Sequence, residues 1–528
     1  MTKILVSDPL SEDGIRILKD SGMEVTALEK APSEDELAGM IKGYDGLIIR
    51  SGSKVTAKVI AAADCLKVIG RAGVGVDNID VPAATDKGIL VMNTPAANTL
   101  SAAEHTCAMI MSLARNIPMA HASMHKGEWK RSKFTGIELN GKTLGIIGVG
   151  RVGSEVARRL KHFNMEFLGY DPYLPKEVAD EVGVKLTTLE DVIEHSDIMT
   201  IHTPLLPETR GMINLEQFKK MKPNALLVNV ARGGIVVEDD LYTALKEGII
   251  KGAAFDVWEH EPLDEKEMKL LELDNLVVTP HLGASTVEAQ ERVAVEVADA
   301  VVKYLADGTI LNAINAPRGK LDPELAPYIP LAEDLGVIAS QLVGSNPIKD
   351  MEIIYSGGIS SKDTKRVGIA ATIGVLLKII GERANFINAM SVAKGKGIAI
   401  KESKMQTSDR YDNTVTLCLT DANGKRTEVK GTVFANIPRL IAINGYTFEM
   451  PLQSDIFVAR YKDQPGVIGA VGKAFGDNKV NIGQMSVSRN EPNGTAVMIL
   501  TVDHAIDDAV AKKVIDAAGF EKAKFIAL

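Results

Sequence analysis

The chain has 528 residues and a net charge of −9 at pH 7, and 45% of its residues are hydrophobic and 24% charged. It is too long for a single hydrophobic core, so we expect three or four globular domains. The acidic balance, the three scattered cysteines and the lack of a visible signal peptide or long apolar run argue against nucleic-acid binding, a disulfide framework and membrane insertion, and favour a cytoplasmic protein.

Residues 3–97 alternate short apolar segments with amphipathic polar ones. This alternation predicts βαβ units and a parallel sheet. The expected strands are Ile4–Ser7, Leu47–Arg50, Val68–Gly70 and Ile89–Met92, with helices at Ser11–Lys19 and Ser33–Ile41. No phosphate-binding glycine pattern follows the first strand, so we interpret this segment as a second α/β unit beside a nucleotide-binding domain.

Two segments lead from this unit to the next. Ala102–Leu113 is continuously apolar and predicts a buried helix. Asn116–Asn140 is polar, and we expect it to be irregular. Within it, His121 and His125 have the i, i+4 spacing of a metal-ligand pair, but no third ligand is evident, so a surface or interface role is favoured.

The most specific pattern runs from Lys142 to Asp171. An apolar strand enters Gly148-Val-Gly150-Arg-Val-Gly153, a helix-like segment follows, and a second strand ends on Asp171, 18 residues after the last glycine. Gly148 allows a tight turn, Gly150 lets the backbone approach a pyrophosphate, and Gly153 lets helix and strand pack closely. The helix N-terminus attracts phosphates. Asp171 can accept hydrogen bonds from ribose hydroxyls and would repel a 2′-phosphate, so the pattern predicts an NAD site.

The later strands of this nucleotide unit end in residues that can carry chemistry. These strands are expected at Ile198–His202, Ala225–Asn229, Gly252–Phe255 and Leu276–Thr279. Arg232 follows the second of them, Asp256 and Glu261 follow the third, and His281 follows the fourth. Ligands bind at the carboxyl ends of parallel strands, so we expect these side chains to face one crevice.

Together these residues are typical of 2-hydroxy acid oxidation. An arginine can clamp a carboxylate with two hydrogen bonds. A histidine can exchange the proton of a carbinol, and a neighbouring carboxylate stabilises its imidazolium form. The hypothesis is that Arg232 clamps the acid, His281 moves the proton and NAD takes the hydride. Taken singly, each residue has an ordinary alternative: a solvated loop arginine, a hydrogen-bonded core histidine and a surface acid.

The segment after these strands predicts a return of the chain. Thr286–Tyr304 is apolar on one face, and we expect this helix to cross back to the first α/β unit and make that unit discontinuous. Asn315–Pro317 then begins a linker that contains Pro317, Pro323, Pro327 and Pro330.

Two further regions complete the chain. Residues 318–452 carry apolar helices at Leu331–Val343 and Ile369–Ile380 and hairpin signals at Asn423-Gly424 and Asn444-Gly445. Residues 453–528 predict a βαββαβ, ferredoxin-like unit. Its elements are Ile456–Arg460, Val467–Phe475, Val480–Val487, Thr495–Val502, Ile506–Ala518 and Lys522–Ala527.

The sequence resembles the D-isomer-specific 2-hydroxyacid dehydrogenases. Over essentially its whole length it resembles the long members of that family, which end in an ACT domain. The segments that carry the resemblance are Ile49-Arg-Ser-Gly-Ser, Gly70-Arg-Ala-Gly-Val-Gly-Val-Asp-Asn-Ile-Asp, Asn93-Thr-Pro-Ala-Ala-Asn-Thr, Val228-Asn-Val-Ala-Arg-Gly-Gly and Pro280-His-Leu-Gly-Ala-Ser-Thr.

The resemblance implies an α/β protein with four domains. The first is a discontinuous, flavodoxin-like substrate-binding domain (1–97 and 286–316), and the second is a Rossmann-type NAD-binding domain (98–285). An α+β intervening domain (317–452) and a ferredoxin-like ACT regulatory domain (453–528) follow.

The resemblance also implies the site residues. The catalytic residues are Arg232, Glu261 and His281. The cofactor-binding residues are Val74, Gly148, Gly150, Arg151, Val152, Gly153, Asp171, Thr203, Val230, Ala231, Asp256, Gly283 and Ala284. The substrate-binding residues are Arg50, Ser51, Arg71 and Arg232, and the effector-binding residues are Tyr461, Asp463 and Asn481. Guanidinium groups suit phosphate, although Arg50 and Arg71 also fit exposed loop arginines; Asp463 and Asn481 also fit ordinary turn residues.

The implied activity is NAD-dependent oxidation of 3-phospho-D-glycerate to 3-phosphooxypyruvate, the first step of L-serine biosynthesis, with feedback inhibition by L-serine. The implied assembly is a homodimer or homotetramer without a metal ion. Two other functions fit the first two units: reduction of glyoxylate or hydroxypyruvate, and nucleotide sensing by a binding protein on the same fold. The long C-terminal half argues against the first, and the intact Arg232, Glu261 and His281 argue against the second.

Overall fold

The computed structural model describes residues 1–317, 322–381, 384–408, 410–452, 455–503, 508–518, 520 and 522–528. Part of the expected linker and the expected first residues of the helix at Ile506 lie outside this described part. In these ranges, no helix combines the length and the hydropathy needed to cross a membrane.

Residues 1–97 form a parallel sheet with helices on its faces. Its elements are β1 (Lys3–Val6), α1 (Glu12–Asp20), β2 (Glu24–Ala27), α2 (Glu34–Met40), β3 (Gly46–Ile49), α3 (Ala57–Ala62), β4 (Val68–Arg71), α4 (Val81–Asp86) and β5 (Leu90–Asn93). The strand order is β2-β1-β3-β4-β5, which confirms the flavodoxin-like prediction. The sequence prediction omitted β2, none of whose side chains is buried.

Residues 98–285 form a second, larger parallel sheet. Its helices are α5 (Thr99–Ala114), α6 (Ile117–His125), α7 (Arg151–Leu160), α8 (Lys176–Glu181), α9 (Leu189–His195), α10 (Leu215–Lys220), α11 (Glu238–Lys246) and α12 (Glu265–Met268). Its strands are β6 (Thr143–Ile147), β7 (Glu166–Tyr170), β8 (Lys185–Leu186), β9 (Ile198–Ile201), β10 (Leu226–Asn229), β11 (Gly252–Phe255) and β12 (Leu276–Val278).

The order of this second sheet is β8-β7-β6-β9-β10-β11-β12, with every pair parallel. That is the Rossmann order, in which the connections reverse direction between β6 and β9 and open a crevice at the carboxyl ends of those strands. The prediction of an irregular segment from Asn116 to Asn140 was wrong, because α6 and a 3₁₀ turn at Arg131–Phe134 lie within it. Pro118 is compatible with the first turn of α6 because the N–H that it lacks has no helical partner there.

The chain then returns to the first sheet through α13 (Val287–Asp307). The hydroxyl of Thr286 caps this helix by accepting from the backbone N–H of Ala289 at 3.1 Å. Val297 and Val301 of α13 pack in one buried cluster with Ile4 and Val68 of the first sheet. The expected crossing is therefore present, and α13 covers one face of a sheet built from the start of the chain.

The described residues of 322–452 pack helices on a mostly antiparallel sheet. The elements are α14 (Tyr328–Val343), β13 (Ile348–Gly357), α15 (Lys365–Ile380), α16 (Ala389–Gly395), β14 (Ala399–Met405), β15 (Asn413–Asp421), β16 (Arg426–Phe434), β17 (Ile437–Ile443) and β18 (Tyr446–Pro451). Both expected hairpins are present, between β15 and β16 and between β17 and β18. The linker prediction was wrong at its end, because Pro327 caps α14 and Pro330 lies in its first turn.

The described residues of 455–528 form the smallest sheet. Its elements are β19 (Ile456–Lys462), α17 (Val467–Asp477), β20 (Ile482–Arg489), β21 (Thr495–Val502), α18 (Asp508–Ala518) and β22 (Lys522–Ile526). The strand order β20-β21-β19-β22, antiparallel throughout, confirms the ferredoxin-like prediction.

Candidate active site

The glycine turn between β6 and α7 has the geometry of a phosphate-binding loop. Gly148 takes φ +90°, and a Cβ at Gly153 would lie 2.2 Å from the carbonyl oxygen of Gly148. Both positions therefore require glycine. Gly150 caps α7, and the carboxylate of Asp171 accepts a hydrogen bond from the N–H of Val149 at 3.1 Å. The turn thus holds Asp171 beside the helix N-terminus, where a ribose would follow a pyrophosphate.

A cavity of about 380 Å³ lies in front of this turn. Its wall includes these expected site residues: Val74, Arg151, Val152, Thr203, Val230, Ala231, Arg232, His281, Gly283 and Ala284. The hydroxyl of Thr203 is buried and has no hydrogen-bond partner among the described residues. A buried polar atom without a partner is costly, so this hydroxyl suits a polar atom of a ligand. The wall therefore fits a dinucleotide on an observation independent of the glycine pattern.

Asp256 does not line this cavity but lies beneath it, fully buried. Its carboxylate accepts from the hydroxyl of Thr279 at 2.5 Å and from the N–H groups of Leu282 and Gly283 at 2.7 and 2.8 Å. Burial raises the pKa of Asp256, but hydrogen bonds from His105, Thr279 and Leu282 outweigh it and leave the pKa below its usual value. Asp256 is therefore an anion that fixes the loop after β12.

That loop presents His281 to Glu261. Nδ1 of His281 lies 2.6 Å from Oε2 of Glu261, and Oε1 of Glu261 accepts from the N–H of Trp258 at 3.1 Å. Burial raises the pKa of Glu261, but the hydrogen bond and charge of His281 outweigh it and hold the pKa below its usual value. Glu261 is thus a carboxylate, which cannot donate, so Nδ1 carries the proton and Nε2 is the ring nitrogen left for a substrate.

His281 and Glu261 also border a second, more apolar cavity of about 580 Å³, whose wall includes Trp258 and Met268. Among the side chains that the structure describes, the wall of this cavity carries no lysine or arginine, whereas the wall of the first cavity carries Arg151 and Arg232. An anionic substrate is therefore expected in the first cavity and not in the second.

Three arginines from different strand ends lie near enough for their charges to interact, and one of them, Arg232, lines the first cavity. Burial lowers the pKa of Arg71 to about 10, and the neighbouring charges of Arg232 and Arg50 contribute to the lowering. Each guanidinium donates to a main-chain carbonyl: Arg71 to Ala72 at 2.7 Å, Arg232 to Ala231 at 2.7 Å and Arg50 to Pro9 at 3.2 Å. Cations held this close to one another make a site for an anion.

Several residues that build this cationic site were not predicted from the sequence. The side-chain amide of Asn78 donates to the carbonyls of Arg50 and Ser53, each at 2.7 Å. Asp77 lies 3.4 Å from Nε of Arg232. Buried Asp8 accepts from the N–H groups after Ser51, at 2.9 and 3.2 Å, while Ser51 itself is exposed. Asp77 and Asn78 stand within a glycine-rich segment that the family resemblance singles out, which is the signal that marks them.

The expected effector residues lie in or beside strands of the smallest sheet, and each has a partner within the chain. Tyr461 is 3% exposed and packs in the core of that unit. Asp463 accepts from Arg489 at 3.0 Å, and the amide of Asn481 donates to Asp503 at 2.7 Å. Asp463 and Asn481 therefore lie at the surface with part of their hydrogen-bonding capacity in use.

The histidine pair on α6 and one further cluster are the metal-like features. The rings of His121 and His125 meet edge to face at 4.4 Å, as expected for a surface pair. Among the described residues, the side chains of His260, Asp264 and Glu267 are close enough to share an ion. The oxygens of Glu267 already accept hydrogen bonds from three N–H groups, which gives this cluster a role other than metal binding.

Comparisons with known proteins agree with this architecture. Residues 107–283 match the NAD-binding domain of D-isomer specific 2-hydroxyacid dehydrogenases, residues 324–444 match the D-3-phosphoglycerate dehydrogenase intervening domain, and residues 454–519 match the ACT domain. The chain is 44% identical to D-3-phosphoglycerate dehydrogenase of Methanocaldococcus jannaschii over 97% of both chains. It is 41% identical to that of Archaeoglobus fulgidus over 100% of both.

A solved structure matches part of the chain. The D-lactate dehydrogenase of Aquifex aeolicus, in complex with NAD and lactic acid, is 30% identical. The match covers 60% of the present chain and 100% of that one, with a TM-score of 0.54.

Proposed function

Because the chain belongs to the D-3-phosphoglycerate dehydrogenase family, we propose that the first cavity is the site at which 3-phospho-D-glycerate is oxidised to 3-phosphooxypyruvate, the first step of L-serine biosynthesis. The observation that carries this assignment is that Arg232 and His281 line one cavity with the expected dinucleotide-binding residues. NAD, when bound there, supplies the hydride acceptor. The remaining chemistry belongs to the side chains of the protein.

Arg232 and His281 have different roles at the reacting carbon. Arg232 binds the substrate carboxylate, because its guanidinium forms two parallel hydrogen bonds to such a group. Nε2 of His281 accepts the proton of the 2-hydroxyl group as the carbonyl forms. Glu261 holds Nδ1 at 2.6 Å, which fixes the tautomer and stabilises the imidazolium that results.

Arg50 and Arg71 bind the substrate phosphate in this proposal. They lie at the ends of adjacent strands of the first sheet. The positive charges of Arg232 and Arg50 both contribute to lowering the pKa of Arg71. A carboxylate on Arg232 and a phosphate near Arg71 would relieve the mutual repulsion of these cations. The hydrogen bonds that Asn78 donates and that Asp8 accepts hold the loops at these strand ends in place. Ser51 lies at the exposed tip.

Cofactor choice is assigned to Asp171. Its carboxylate is held at the glycine turn by the N–H groups of Val149 and Tyr173, at 3.1 and 3.0 Å. A fixed negative charge there accepts hydrogen bonds from ribose hydroxyls and repels the 2′-phosphate of NADP.

The domain boundaries that we propose are those implied by the resemblance. Residues 1–97 and 286–316 bind the substrate, residues 98–285 bind NAD, residues 317–452 form the intervening domain and residues 453–528 form the ACT domain. The grouping of strands into four sheets and the packing of α13 on the first sheet support this division.

Regulation and assembly follow the same proposal. L-Serine binds at Asp463, Asn481 and the backbone near Tyr461, in a cytoplasmic homodimer or homotetramer. Asn481 is exposed and Asp463 is partly exposed, which supports a site completed by a second copy of the chain. Serine inhibits only if it prefers one conformational state, because a ligand that binds all states equally shifts none of them.

The test is to mix purified protein with NAD and one of two acids and to measure the absorbance of the NADH that forms. 3-Phospho-D-glycerate should be oxidised, and D-glycerate should be a poor substrate. Equal specificity constants for the two acids would contradict the phosphate site and favour a dehydrogenase of unphosphorylated hydroxy acids.

A further inference from the structure

Two buried carboxylates lie behind the loop that carries Glu261, and the reaction described above does not use them. Glu238 begins α11 and is 8% exposed, and Glu267 belongs to α12 and is 3% exposed. Their carboxyl groups are in hydrogen-bonding contact. Two carboxylates in contact inside a protein cannot both keep a negative charge at low cost, and burial, together with the charge and contact of Glu267, raises the pKa of Glu238 to about 7.

The pair binds the backbone on both sides of Glu261. Oε1 of Glu238 accepts from the N–H of Glu259 at 2.8 Å. Oε1 of Glu267 accepts from the N–H of His260 at 3.0 Å and from its Nδ1 at 2.7 Å, and Oε2 accepts from the N–H of Asp264 at 2.9 Å. The two carboxyl groups therefore clamp residues 259, 260 and 264 around the catalytic acid.

The two carboxyl groups differ in the number of their donors. Glu267 accepts from three N–H groups, whereas Glu238 accepts from one. Burial raises the pKa of Glu238, and the charge and contact of Glu267 raise it further, against the opposing N–H of Glu259. A proton taken up by the pair therefore belongs to Glu238, whose hydroxyl can then donate to Glu267.

The charged groups around the pair leave this assignment in place. Glu259 pairs with Arg210 at 3.2 Å, and Asp239 of α11 pairs with Lys269 at 2.5 Å. Asp264 lies 3.5 Å from Nδ1 of His260. His260 is thus a cationic partner of Glu267, and the hydrogen bond to Glu267 raises the pKa of His260.

We propose that Glu238 and Glu267 are positioning residues for the reaction, which hold the segment 258–264 so that Glu261 stays in hydrogen-bonding register with His281. The inference rests on the proposed function, in which Glu261 orients His281. Because Oε1 of Glu261 is itself bonded to the N–H of Trp258, a shift of this backbone moves the catalytic carboxylate with it.

Two isosteric substitutions distinguish this positioning role from simple packing in the core. In Glu238→Gln the amide oxygen still accepts from Glu259 and the amide nitrogen still donates to Glu267, so kcat should stay within about twofold of the wild type. In Glu267→Gln a single oxygen faces the three N–H donors. Here kcat should fall roughly tenfold to hundredfold, the range expected for losing a hydrogen bond to a charged group, while the KM for NAD stays unchanged.

Two further variants complete the series. Glu238→Leu removes both contacts of Glu238 and should lose kcat as Glu267→Gln does. Glu247→Gln, at the exposed C-terminal end of α11, is the control and should match the wild type. The rate of carbethoxylation of His281, followed by mass spectrometry, reports the same geometry without turnover. It should change in Glu267→Gln and stay unchanged in Glu238→Gln.

A Glu267→Gln protein with wild-type kcat and wild-type His281 reactivity would overturn the inference. Equal losses in Glu238→Gln and Glu267→Gln would overturn the assignment of the proton. A wild-type protein that makes no NADH from phosphoglycerate would instead contradict the proposed function, and the reactivity of His281 would still decide the positioning role.

Discussion

Nδ1 of His281 meets Oε2 of Glu261 at 2.6 Å while the backbone of His281 holds a left-handed conformation, with φ 56°. Such a conformation costs on the order of 1–3 kcal/mol outside glycine and persists only when the surroundings fix it. The N–H of His281 donates to the carbonyl of Asp256 at 2.8 Å, and the carboxylate of Asp256 binds the next two N–H groups. The strained backbone is thus held so that the imidazole faces both Glu261 and the cavity.

Proton transfer by His281 predicts the kinetics of its variants. His281→Asn should lower kcat by roughly 10²–10⁴-fold, the usual contribution of a general acid–base, with little change in NAD binding. Steady-state turnover and a fluorescence titration of NADH measure the two quantities. Glu261→Gln should shift the pH profile of kcat, because the imidazolium loses its anionic partner. Near-normal turnover in His281→Asn would remove this residue from the mechanism.

The position of Asp171 predicts cofactor preference. NAD should be preferred over NADP in the wild type, and Asp171→Ala should narrow the ratio of their specificity constants because the fixed negative charge is gone. Asp171→Asn is the control for the loop, since an amide oxygen can still accept from Val149 or Tyr173. Equal use of NADP by the wild type would contradict this role of Asp171.

Phosphate recognition predicts a substrate-specific loss in arginine variants. Arg50→Gln or Arg71→Gln should raise the KM for 3-phospho-D-glycerate roughly tenfold to hundredfold, as expected for a lost charge-assisted hydrogen bond. Activity on D-glycerate should change much less. Arg16→Gln, on the exposed side of α1, is the matched control. Equal losses on both acids would point to a structural role for the arginines.

The buried anion Asp256 predicts how stability depends on pH. Its pKa is lowered in the folded protein, so its charge contributes stability that is complete above its usual pKa of about 3.9 and is lost as pH falls through the lowered value. Asp256→Asn should therefore lower the unfolding free energy by a constant amount between about pH 5 and 7, and the difference should shrink below about pH 4. Urea unfolding across this pH range measures it, and a difference that grows in acid would contradict the sign.

Serine regulation predicts variants that uncouple inhibition from turnover. Asp463→Ala should abolish inhibition by serine and keep kcat, because the residue follows β19 of the smallest sheet and does not line the cavity. Arg489→Ala frees Asp463 from its ion pair and tests whether that pair competes with the effector. Calorimetry showing undiminished serine binding to the Asp463→Ala, Asn481→Ala double variant would place the effector site elsewhere.

The sequence predicted the sheets well because their strands are apolar and bounded by turn residues. It failed where tertiary contacts override local pattern. β2 has no buried side chain and lacks the apolar run of the neighbouring strands, yet it pairs with β1 along its length. α6 lies in a polar segment, and Pro330 reads as a linker residue although the first turn of a helix accommodates it.

The site was predictable only in part for a related reason. Strand-end positions bring Arg232, Glu261 and His281 to one edge of a parallel sheet, which the spacing alone predicts. The partners of these residues come from distant parts of the chain. Glu238 precedes Glu261 by a helix and a strand, and Asn78 contacts Arg50 although α3 and β4 separate them in the chain. Hydrogen bonds of this kind leave no periodic signal in a sequence.

The return of α13 to the first sheet also has a consequence during synthesis. Ile4, Ile48 and Val68 belong to a face that Val297 and Val301 cover, so the face stays bare while the nucleotide unit is being made. At about 5–20 residues per second, the roughly 190 residues from the end of β5 to α13 take about 10–40 s to emerge from a ribosome. For that interval the nascent first unit presents an apolar sheet face, which makes it a natural client of ribosome-associated chaperones.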